Sequence, residues 1–246
     1  MNNTLTAKLS VNNVGLNSTA IKFIKTRNVK SPSRANPGDA GIDFYIPYAE
    51  FDFIDDFVLK NKGHNYALIV TAEYNGNIAK KTFDIDSDIN IDEFIEYGIY
   101  ISKQIIGFFI DTFELDAADS VDDFKITNID IEIPAHERIL VPSGVKVWIG
   151  NNASALIATN KSGVATKKGL VVGATTVDSQ YTGEVHLSVI NTNNYPVNVT
   201  CGEKLIQFIH TPVILSEMVE ITEDEYNNIT SESVRGAGGF GSSGLK

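Results

Sequence analysis

The sequence predicts a mainly β protein, with a β-barrel or jelly-roll core that is interrupted by a small α+β insert. From about residue 128 onward, short runs of β-forming residues alternate with turn signals, as in all-β barrels and sandwiches. Residues 51–126 instead combine a hairpin signal with a helical period. That segment also carries 16 of the 31 acidic but only 6 of the 20 basic residues, a net charge of −10, which indicates a separate unit.

The first fifty residues contain two predicted strands. Residues 1–18 are polar and weakly patterned, which predicts an extension or a leading strand. Residues 20–25 alternate apolar and polar side chains, as a half-buried strand does. A turn sequence over residues 34–41, with Pro37-Gly38 at its centre, separates them from a second strand at 42–46.

The insert is predicted to contain a hairpin and a helix. Residues 66–74 and 78–85 flank Asn75-Gly76, which is the strongest short hairpin signal. Asn90 followed by Glu93 resembles a helix N-cap with its reciprocal partner. The expected helix has an apolar face formed by Ile91, Phe94, Ile95, Ile101, Ile105 and Phe108. The predicted order in the insert is therefore ββα.

The second half is predicted to be a series of short strands without a long helix. These strands are expected at residues 129–133, 138–141, 145–149, 155–158, 170–172, 185–190, 197–200 and 204–209. Turn sequences such as Pro142-Ser143-Gly144 separate them. The predicted domains are a core of residues 1–50 and 127–234, the insert 51–126, and a flexible glycine-rich arm at 235–246.

Composition and charge exclude several classes of protein. The single Cys201 excludes an internal disulfide framework and a cysteine zinc site. The N-terminus has no signal-peptide pattern and no apolar stretch is long enough to cross a bilayer, so a soluble cytoplasmic protein without membrane contact is expected. The net charge of −11 argues against direct nucleic-acid binding. An EF-hand starting at Asp84 is rejected, because Ile89 and Ile95 stand where the loop needs Gly and Glu.

The C-terminal arm has the composition of a nucleotide lid. Arg235-Gly236-Ala237-Gly238-Gly239-Phe240-Gly241-Ser242 combines one cation, glycines and one aromatic ring. Glycines let backbone N–H groups approach an anion, and Arg suits bidentate phosphate contact. A plain disordered terminus has the same composition, so the interpretation depends on the segments upstream.

Four upstream segments carry residues suited to nucleotide chemistry. Residues 39–43 place Asp43 in a strand after a tight turn. Residues 161–169 mix cations, hydroxyls and glycines, which is typical of either a phosphate cradle or a solvated loop. Residues 173–184 predict a hairpin followed by Asp178 and Tyr181, and residues 202–209 place Gln207 in an apolar strand, where its amide needs partners.

Taken in order, these five segments resemble the five motifs of the trimeric all-β dUTP pyrophosphatase (dUTPase) family. The resemblance covers roughly residues 20–48 and 128–246. The matching strings are Ala40-Gly41-Ile42-Asp43, Lys161-Ser162-Gly163-Val164-Ala165, Val177-Asp178-Ser179-Gln180-Tyr181-Thr182-Gly183-Glu184, Gly202-Glu203-Lys204-Leu205-Ile206-Gln207 and Arg235-Gly236-Ala237-Gly238-Gly239-Phe240-Gly241. Large inserts occur in bacteriophage members of the family, so the resemblance also suggests a phage or prophage source.

The resemblance implies hydrolysis of dUTP to dUMP and pyrophosphate in a homotrimer. Asp178 matches the carboxylate that activates the water attacking the α-phosphorus. Asp43 matches the residue that orients a water on Mg²⁺, which the three phosphates mainly hold. The resemblance also implies which residues contact the substrate. Uracil is contacted by Gly173, Ala174 and Val177, and the deoxyribose lies on Tyr181. The phosphates are contacted by Lys161, Ser162, Gly163 and Gln207, and the arm contributes Arg235, Gly238, Phe240, Gly241 and Ser242. Within the arm, Arg235 grips the γ-phosphate and Phe240 stacks on the uracil.

The chain departs from the family pattern in three places. Lys161 stands where the family usually has Arg, which keeps the charge but loses the planar fork. Gln180 replaces the second acidic residue of the third motif, while Asp178 is intact. Asp43 and Ser162 are 119 residues apart, far more than in compact members.

Two alternative functions are a dCTP deaminase and a regulatory protein. A dCTP deaminase shares the fold, but its catalytic glutamate would correspond to Ser188 here, so deamination is disfavoured. A regulatory protein would use the core as a nucleotide sensor and the acidic insert 51–126 to bind a protein partner. The insert is equally explained as a solvated decoration that aids solubility.

Overall fold

The computed structural model describes residues 20–85, 91–115, 124–150, 152–234 and 236–238, with only the backbone in 91–100. The chain divides into two compact units at Val213/Ile214. In chain order the elements are β1 (Lys22–Lys25), β2 (Ile42–Tyr45), α1 (Phe51–Lys60), β3 (Tyr66–Tyr74), β4 (Asn77–Ile85), α2 (Ile91–Phe113), β5 (Lys125–Ile133), β6 (Arg138–Trp148), β7 (Ser154–Asn160), α3 (Ser162–Lys168), β8 (Leu170–Val172), β9 (Thr176–Asp178), β10 (Glu184–Asn191), β11 (Val197–Thr200), β12 (Lys204–Pro212) and α4 (Glu223–Thr230).

The strands of the described residues form three four-stranded antiparallel sheets. Their strand orders are β1-β6-β10-β8, β11-β5-β3-β4 and β2-β12-β7-β9. Strand β10 alternates buried and half-buried residues along its whole length, which is the pattern of a strand with one face on the core. The predicted mainly β class is confirmed, as three open sheets rather than one closed cylinder.

The hairpin of the insert is confirmed. Strands β3 and β4 pair from Tyr66↔Ile85 to Tyr74↔Asn77. Asn75 and Gly76 both have positive φ, 48° and 80°, as the two central residues of a type I′ turn require. Strand β3 also pairs with β5, so the hairpin extends a sheet that includes β11 of the core. The domain boundaries at 51 and 126 remain a prediction.

Helix α2 confirms the expected helix and extends it to Phe113. Of the predicted apolar face, Ile101 and Ile105 are buried and Phe108 is half-buried, while Phe109, which was not assigned to that face, is buried. The side chains of Ile91, Phe94 and Ile95 lie outside the described residues. The proposed N-cap at Asn90 lies outside the described residues.

Helix α1 was not predicted, although its sequence carries the signal. Phe53, Ile54, Phe57 and Val58 fall on one helical face and all are buried. The helix ends at Lys60, and its C-cap is Asn61, a fully buried residue. Asn61 Nδ2 donates to Leu140 O at 2.8 Å, and Asn61 Oδ1 accepts from Leu140 N at 2.7 Å. This pair of bonds attaches α1 to strand β6, because a buried amide needs partners.

The second unit contains α4, which was also missed. Thr222 caps this helix: its Oγ1 accepts from Glu225 N at 3.3 Å, and the Glu225 side chain accepts from Thr222 N at 2.9 Å. This reciprocal pair is a capping box, and Thr222-x-x-Glu225 was its signal in the sequence. Several large apolar side chains of this unit are exposed, namely those of Ile214, Leu215, Met218, Val219 and Ile229.

Candidate active site

One sheet, β2-β12-β7-β9, contains four of the predicted site residues, namely Asp43, Gln207, Val177 and Asp178. Asp43 in β2 pairs with Gln207 in β12, and Gln207 pairs in turn with Thr159 in β7. Asp178 lies at the end of β9, on the opposite edge, where it pairs with Ala155. Three strand spacings of about 4.8 Å separate the two edges, and Asp178 lies opposite Ala155, four positions along β7 from Thr159. The backbones of Asp43 and Asp178 therefore lie on the order of 20 Å apart. The described chain therefore presents two groups of site residues.

Asp43 is a buried carboxylate, 2% exposed, held between two lysines. Lys161 Nζ donates to Asp43 Oδ1 at 2.9 Å, and Lys204 Nζ lies 2.7 Å from Oδ2. Burial by itself would raise the pKa of the Asp43 carboxyl, but the hydrogen bonds from Lys204 and Lys161 outweigh it and hold that pKa below its ordinary value. The contact with Asp43 also raises the pKa of Lys204. The trio carries a net charge of +1, which suits an anionic ligand.

Lys204 was not singled out in the sequence analysis. It belongs to the string Gly202-Glu203-Lys204 of the fourth motif, but its role follows only from pairing between β12 and β2. Lys204 and Lys161 are 43 positions apart in the sequence. The pairing of neighbouring strands brings both of them to the carboxylate of Asp43.

Gln207 extends this first group across the sheet. Its Nε2 donates to Asn160 O at 3.1 Å. A Cβ placed on Gly41 would overlap the Gln207 amide, so the approach of these two segments requires a glycine. A cavity of about 280 Å³ is lined by Asp39, Gly41, Asp43, Lys161 and Gln207, among others.

The segment after Lys161 forms a short helix, α3, rather than a loop. Lys161 is its N-terminal capping position, and Ser162 and Gly163 are its first two residues, both exposed. The backbone N–H groups in the first turn of a helix have no partner within the helix. Lys161, Ser162 and Gly163 thus lie together at the end of β7, next to the cavity.

Residues 173–177 connect β8 to β9 and belong to the second group of site residues, the one around Asp178. Gly173 N donates to Ser188 O at 3.0 Å, and Thr175 O accepts from Ala158 N at 2.6 Å. Gly173 and Ala174 are exposed and Val177 is half-buried. The segment is therefore held at both ends while its middle faces solvent.

Asp178 and Tyr181 are connected by a tight turn. Tyr181 N donates to Asp178 O at 3.0 Å, and the Tyr181 hydroxyl donates to Glu184 O at 2.9 Å. The Tyr181 ring covers Gly183, where an added Cβ would overlap the ring and its hydroxyl. Asp178 is exposed and the Tyr181 side chain is half-exposed, so both are accessible to a ligand.

Gln180, which departs from the family pattern, has a local partner. Its Nε2 donates to Asn152 Oδ1. A carboxylate at position 180 could not donate this bond.

The arm is only partly described. Gly238 is described as half-buried and belongs to the second unit. Arg235, Phe240, Gly241 and Ser242 lie outside the described residues, and their predicted contacts with substrate stay a prediction.

The side chains around Asp43 do not form a metal cage. The described residues contain no group of three His, Cys, Asp or Glu side chains that could hold a metal ion. Both oxygens of Asp43 already face lysine ammonium groups. This donor set fits an Mg²⁺ ion only where a bound polyphosphate supplies most of the ligands.

A membrane-spanning helix is absent from the described residues. None of their helices combines the length and the apolar character that a bilayer crossing requires.

Comparison with known proteins identifies the family. A family model described as dUTPase matches residues 126–244. The chain is 34% identical over 123 residues to a deoxyuridine 5'-triphosphate nucleotidohydrolase of Shewanella pealeana, covering 49% of this chain and 77% of that protein. A protein of the same name from Gloeothece citriformis is 39% identical over 118 residues, covering 47% and 77%. One from Pseudomonas putida is 36% identical over 110 residues, covering 44% and 69%.

Solved structures share the fold at low sequence identity. The dUTPase of Staphylococcus bacteriophage 80alpha with dUPNHPP has a TM-score of 0.50 and 16% identity, covering 93% of this chain and all of that one. A mutant of that dUTPase with dUpNHpp has a TM-score of 0.51 and 15% identity, with the same coverage. The identity of 34–39% with the curated dUTPases, and the 69–77% of their length that is covered, show that the chain belongs to the dUTPase family.

Proposed function

We propose that this chain hydrolyses dUTP to dUMP and pyrophosphate, with Asp178 as the base that activates water. The observation that carries the proposal is the turn from Asp178 to Tyr181, which presents an accessible carboxylate beside a ring fixed over Gly183. It lies inside the region that the dUTPase family model matches.

In the proposed reaction, the water oxygen bonds to the α-phosphorus. The bond from that phosphorus to the oxygen bridging the α- and β-phosphates breaks, and its electron pair leaves with pyrophosphate. The water proton passes to the Asp178 carboxylate, which must lie within hydrogen-bond reach of the water. The exposed position of Asp178 at the end of β9 allows this approach.

The proposed substrate contacts follow the two groups of residues. Main-chain groups of 173–177 read the uracil edge, and Tyr181 lies under the deoxyribose and leaves no room for a 2′-hydroxyl. Ser162, Gly163, Lys161 and Gln207 contact the phosphate chain, for which the first turn of α3 offers N–H groups. The arm residues Arg235, Gly238, Phe240, Gly241 and Ser242 close over the nucleotide in this proposal.

Mg²⁺ is proposed as the cofactor. When bound to the triphosphate it neutralises charge and orients the phosphates for in-line attack. Asp43 would help to hold it through a water, and Lys161 or Lys204 would then be free to contact a phosphate oxygen. The paired lysines around Asp43 support a site that assembles with substrate rather than before it.

The proposed assembly is a homotrimer with sites shared between subunits. The separation of Asp43 from Asp178 within one chain supports this, because one nucleotide needs both groups. Exposed apolar side chains in the second unit, such as Leu215 and Met218, favour contact with another molecule. The cytoplasmic location expected from the sequence remains part of the proposal.

A regulatory role of the insert is the second candidate. The net charge of −10 on residues 51–126 favours a basic protein partner. A pull-down with the full chain and with a chain lacking 51–126 tests it: a partner retained by both proteins is not bound by the insert. Deamination remains disfavoured, because Ser188 in β10 carries no carboxylate.

The experiment that tests the main proposal is a steady-state assay with dUTP, dCTP, dTTP and UTP in the presence of Mg²⁺, with product identification. We expect dUMP and pyrophosphate from dUTP and much slower turnover of the other three. Release of ammonia from dCTP would show that the protein is a deaminase. If none of the four nucleotides is turned over, the proposed hydrolysis is wrong and the nucleotide-sensor function is favoured.

A further inference from the structure

Arg27 joins the insert to the turn that carries Tyr181. It follows β1 and its side chain is only 10% exposed. Its Nη2 lies 2.7 Å from Asp56 Oδ2 in helix α1 and 3.0 Å from Glu184 Oε2 at the start of β10. One guanidinium thus connects two elements that are 128 positions apart in the sequence.

Glu184 is itself held on three sides. Its Oε1 accepts from Gly144 N at 2.6 Å, and its Oε2 accepts from Thr26 Oγ1 at 3.3 Å as well as from Arg27. Its backbone carbonyl accepts the hydroxyl of Tyr181 at 2.9 Å. The Glu184 backbone pairs with Lys146, next to a register shift between Glu184 and His186. The side-chain bonds of Glu184 therefore act together with this pairing to set the position of the carbonyl, and with it the tilt of the Tyr181 ring.

The backbone around Arg27 is shaped for this connection. Thr26 N donates to Gly144 O at 2.8 Å, and Gly144 has a positive φ of 70°. A Cβ at Gly144 would come within 2.6 Å of Arg27 Cγ, so a glycine is needed where the arginine passes. Nη2 donates to both carboxylates, and Nη1 donates to Asp52 O at 3.3 Å. A lysine has a single terminal nitrogen, so it could not keep all three contacts with the same geometry.

We propose that Arg27 is a positioning residue for Tyr181 and sets the discrimination between deoxyribose and ribose nucleotides. Through Asp56 it makes helix α1 of the insert part of that specificity. The inference rests on the proposed function, because Tyr181 is taken to lie under the sugar. Neither Arg27 nor Asp56 touches substrate in this account, and both act through Glu184.

The first test compares three variants by the ratio of kcat/KM for dUTP to kcat/KM for UTP. Arg27→Lys should lower this ratio roughly fivefold, as expected for the loss of one hydrogen bond. Asp56→Asn should lower it in the same direction by less. Asp52→Asn is the matched control on the same helix. The Asp52 side chain is 61% exposed with its carboxylate 4.0 Å from Arg27, and the bond from Arg27 Nη1 to the Asp52 backbone carbonyl survives the substitution, so the ratio should stay unchanged.

The second test asks whether Arg27 acts through the tyrosine. In a Tyr181→Phe background the bond to Glu184 O is absent, so Arg27→Lys should have no further effect on the ratio. A structural defect would instead lower kcat/KM for both nucleotides in parallel and add to the effect of Tyr181→Phe. Thermal unfolding verifies that each variant is folded, and Asp56→Asn takes the place of Arg27→Lys in the cycle if the latter does not fold.

The outcomes separate this inference from the proposed function. If wild-type protein hydrolyses dUTP but the ratio is unchanged in the folded Arg27 and Asp56 variants, the positioning role is overturned while the function stands. If the two substitutions are additive with Tyr181→Phe, the role is likewise overturned. If wild-type protein does not hydrolyse dUTP, the proposed function and the inference fall together.

Discussion

Asp178 is the residue on which the proposed chemistry depends. Asp178→Asn keeps the shape of the side chain but removes its ability to accept a proton, so kcat should fall by about 100-fold to 10,000-fold while nucleotide affinity stays close to wild type. Single-turnover kinetics and calorimetric titration with a non-hydrolysable dUTP analogue measure the two quantities. Asp111→Asn, at an exposed position of α2, is the control and should behave as wild type. A kcat near wild type in Asp178→Asn would refute the base assignment.

Asp43 gives a prediction about stability and pH. Its folded-state pKa lies below the ordinary value, so its ionised form stabilises the fold above the unfolded-state pKa of about 3.9. This stabilisation is lost as the pH falls through the folded-state pKa. Near neutral pH, Asp43→Asn should lower the free energy of unfolding by about 2 kcal/mol, because two lysines lose their charged acceptor.

The measurement for Asp43 is urea denaturation of both proteins from neutral pH to about pH 3. The difference between wild type and Asp43→Asn should be constant near neutrality and shrink below about pH 4. A difference that stays constant into acid would mean that the ion pairs with Lys161 and Lys204 do not stabilise the fold.

At the residue scale, the sequence predicted motif members but not the contacts that connect them. Asp43, Lys161 and Gln207 were singled out, and the structure brings them to one cavity. Lys204, Arg27 and Glu184 were not assigned roles, because their partners are far away in the chain. A buried arginine gives no local signal, and its carboxylates are recognisable only after the strands have paired.

The β3–β4 hairpin shows what local sequence predicts at the scale of elements. Asn75-Gly76 alone gave the turn, because few residue pairs adopt positive φ at both positions. Helix α1 was missed because it has only ten residues and its N-cap, Glu50, makes no capping hydrogen bond through its side chain, so only the short apolar period marks it. Helix α3 was missed because seven residues are too few for a clear period.

The hairpin turn gives a prediction with a control of opposite sign. Gly76→Ala places a Cβ at φ 80° and should destabilise the protein by about 1 kcal/mol. Gly107→Ala lies inside α2 with nothing within 4 Å of the new Cβ, and should stabilise by about 0.5–1 kcal/mol. Chemical denaturation measures both. Equal signs for the two substitutions would contradict the turn geometry or the helix assignment.

At the scale of the whole molecule, the proposed site is distributed over a sheet and the arm. The fold class and the family were accessible from the sequence, because five motifs occur in order. The division of the chain at Val213/Ile214 was not, because it depends on tertiary packing. The proposed partner of the insert has no signature in the sequence beyond the acidic charge of residues 51–126.

Truncation of the arm tests its proposed role as a lid. A chain ending at Val234 lacks Arg235 and Phe240, and its kcat/KM for dUTP should fall about 100-fold, as when a closing element no longer orients the substrate. A chain ending at Ser243 keeps all five proposed arm contacts and should remain active. Full activity of the shorter protein would remove the lid from the mechanism.

The position at which water enters the product tests the mechanism most directly. Hydrolysis of dUTP in oxygen-18-labelled water, followed by mass spectrometry of both products, locates the bond that forms. Attack at the α-phosphorus by a water that Asp178 activates places the label in dUMP and leaves pyrophosphate unlabelled. Label in pyrophosphate would show attack at the β-phosphorus and contradict the proposed reaction.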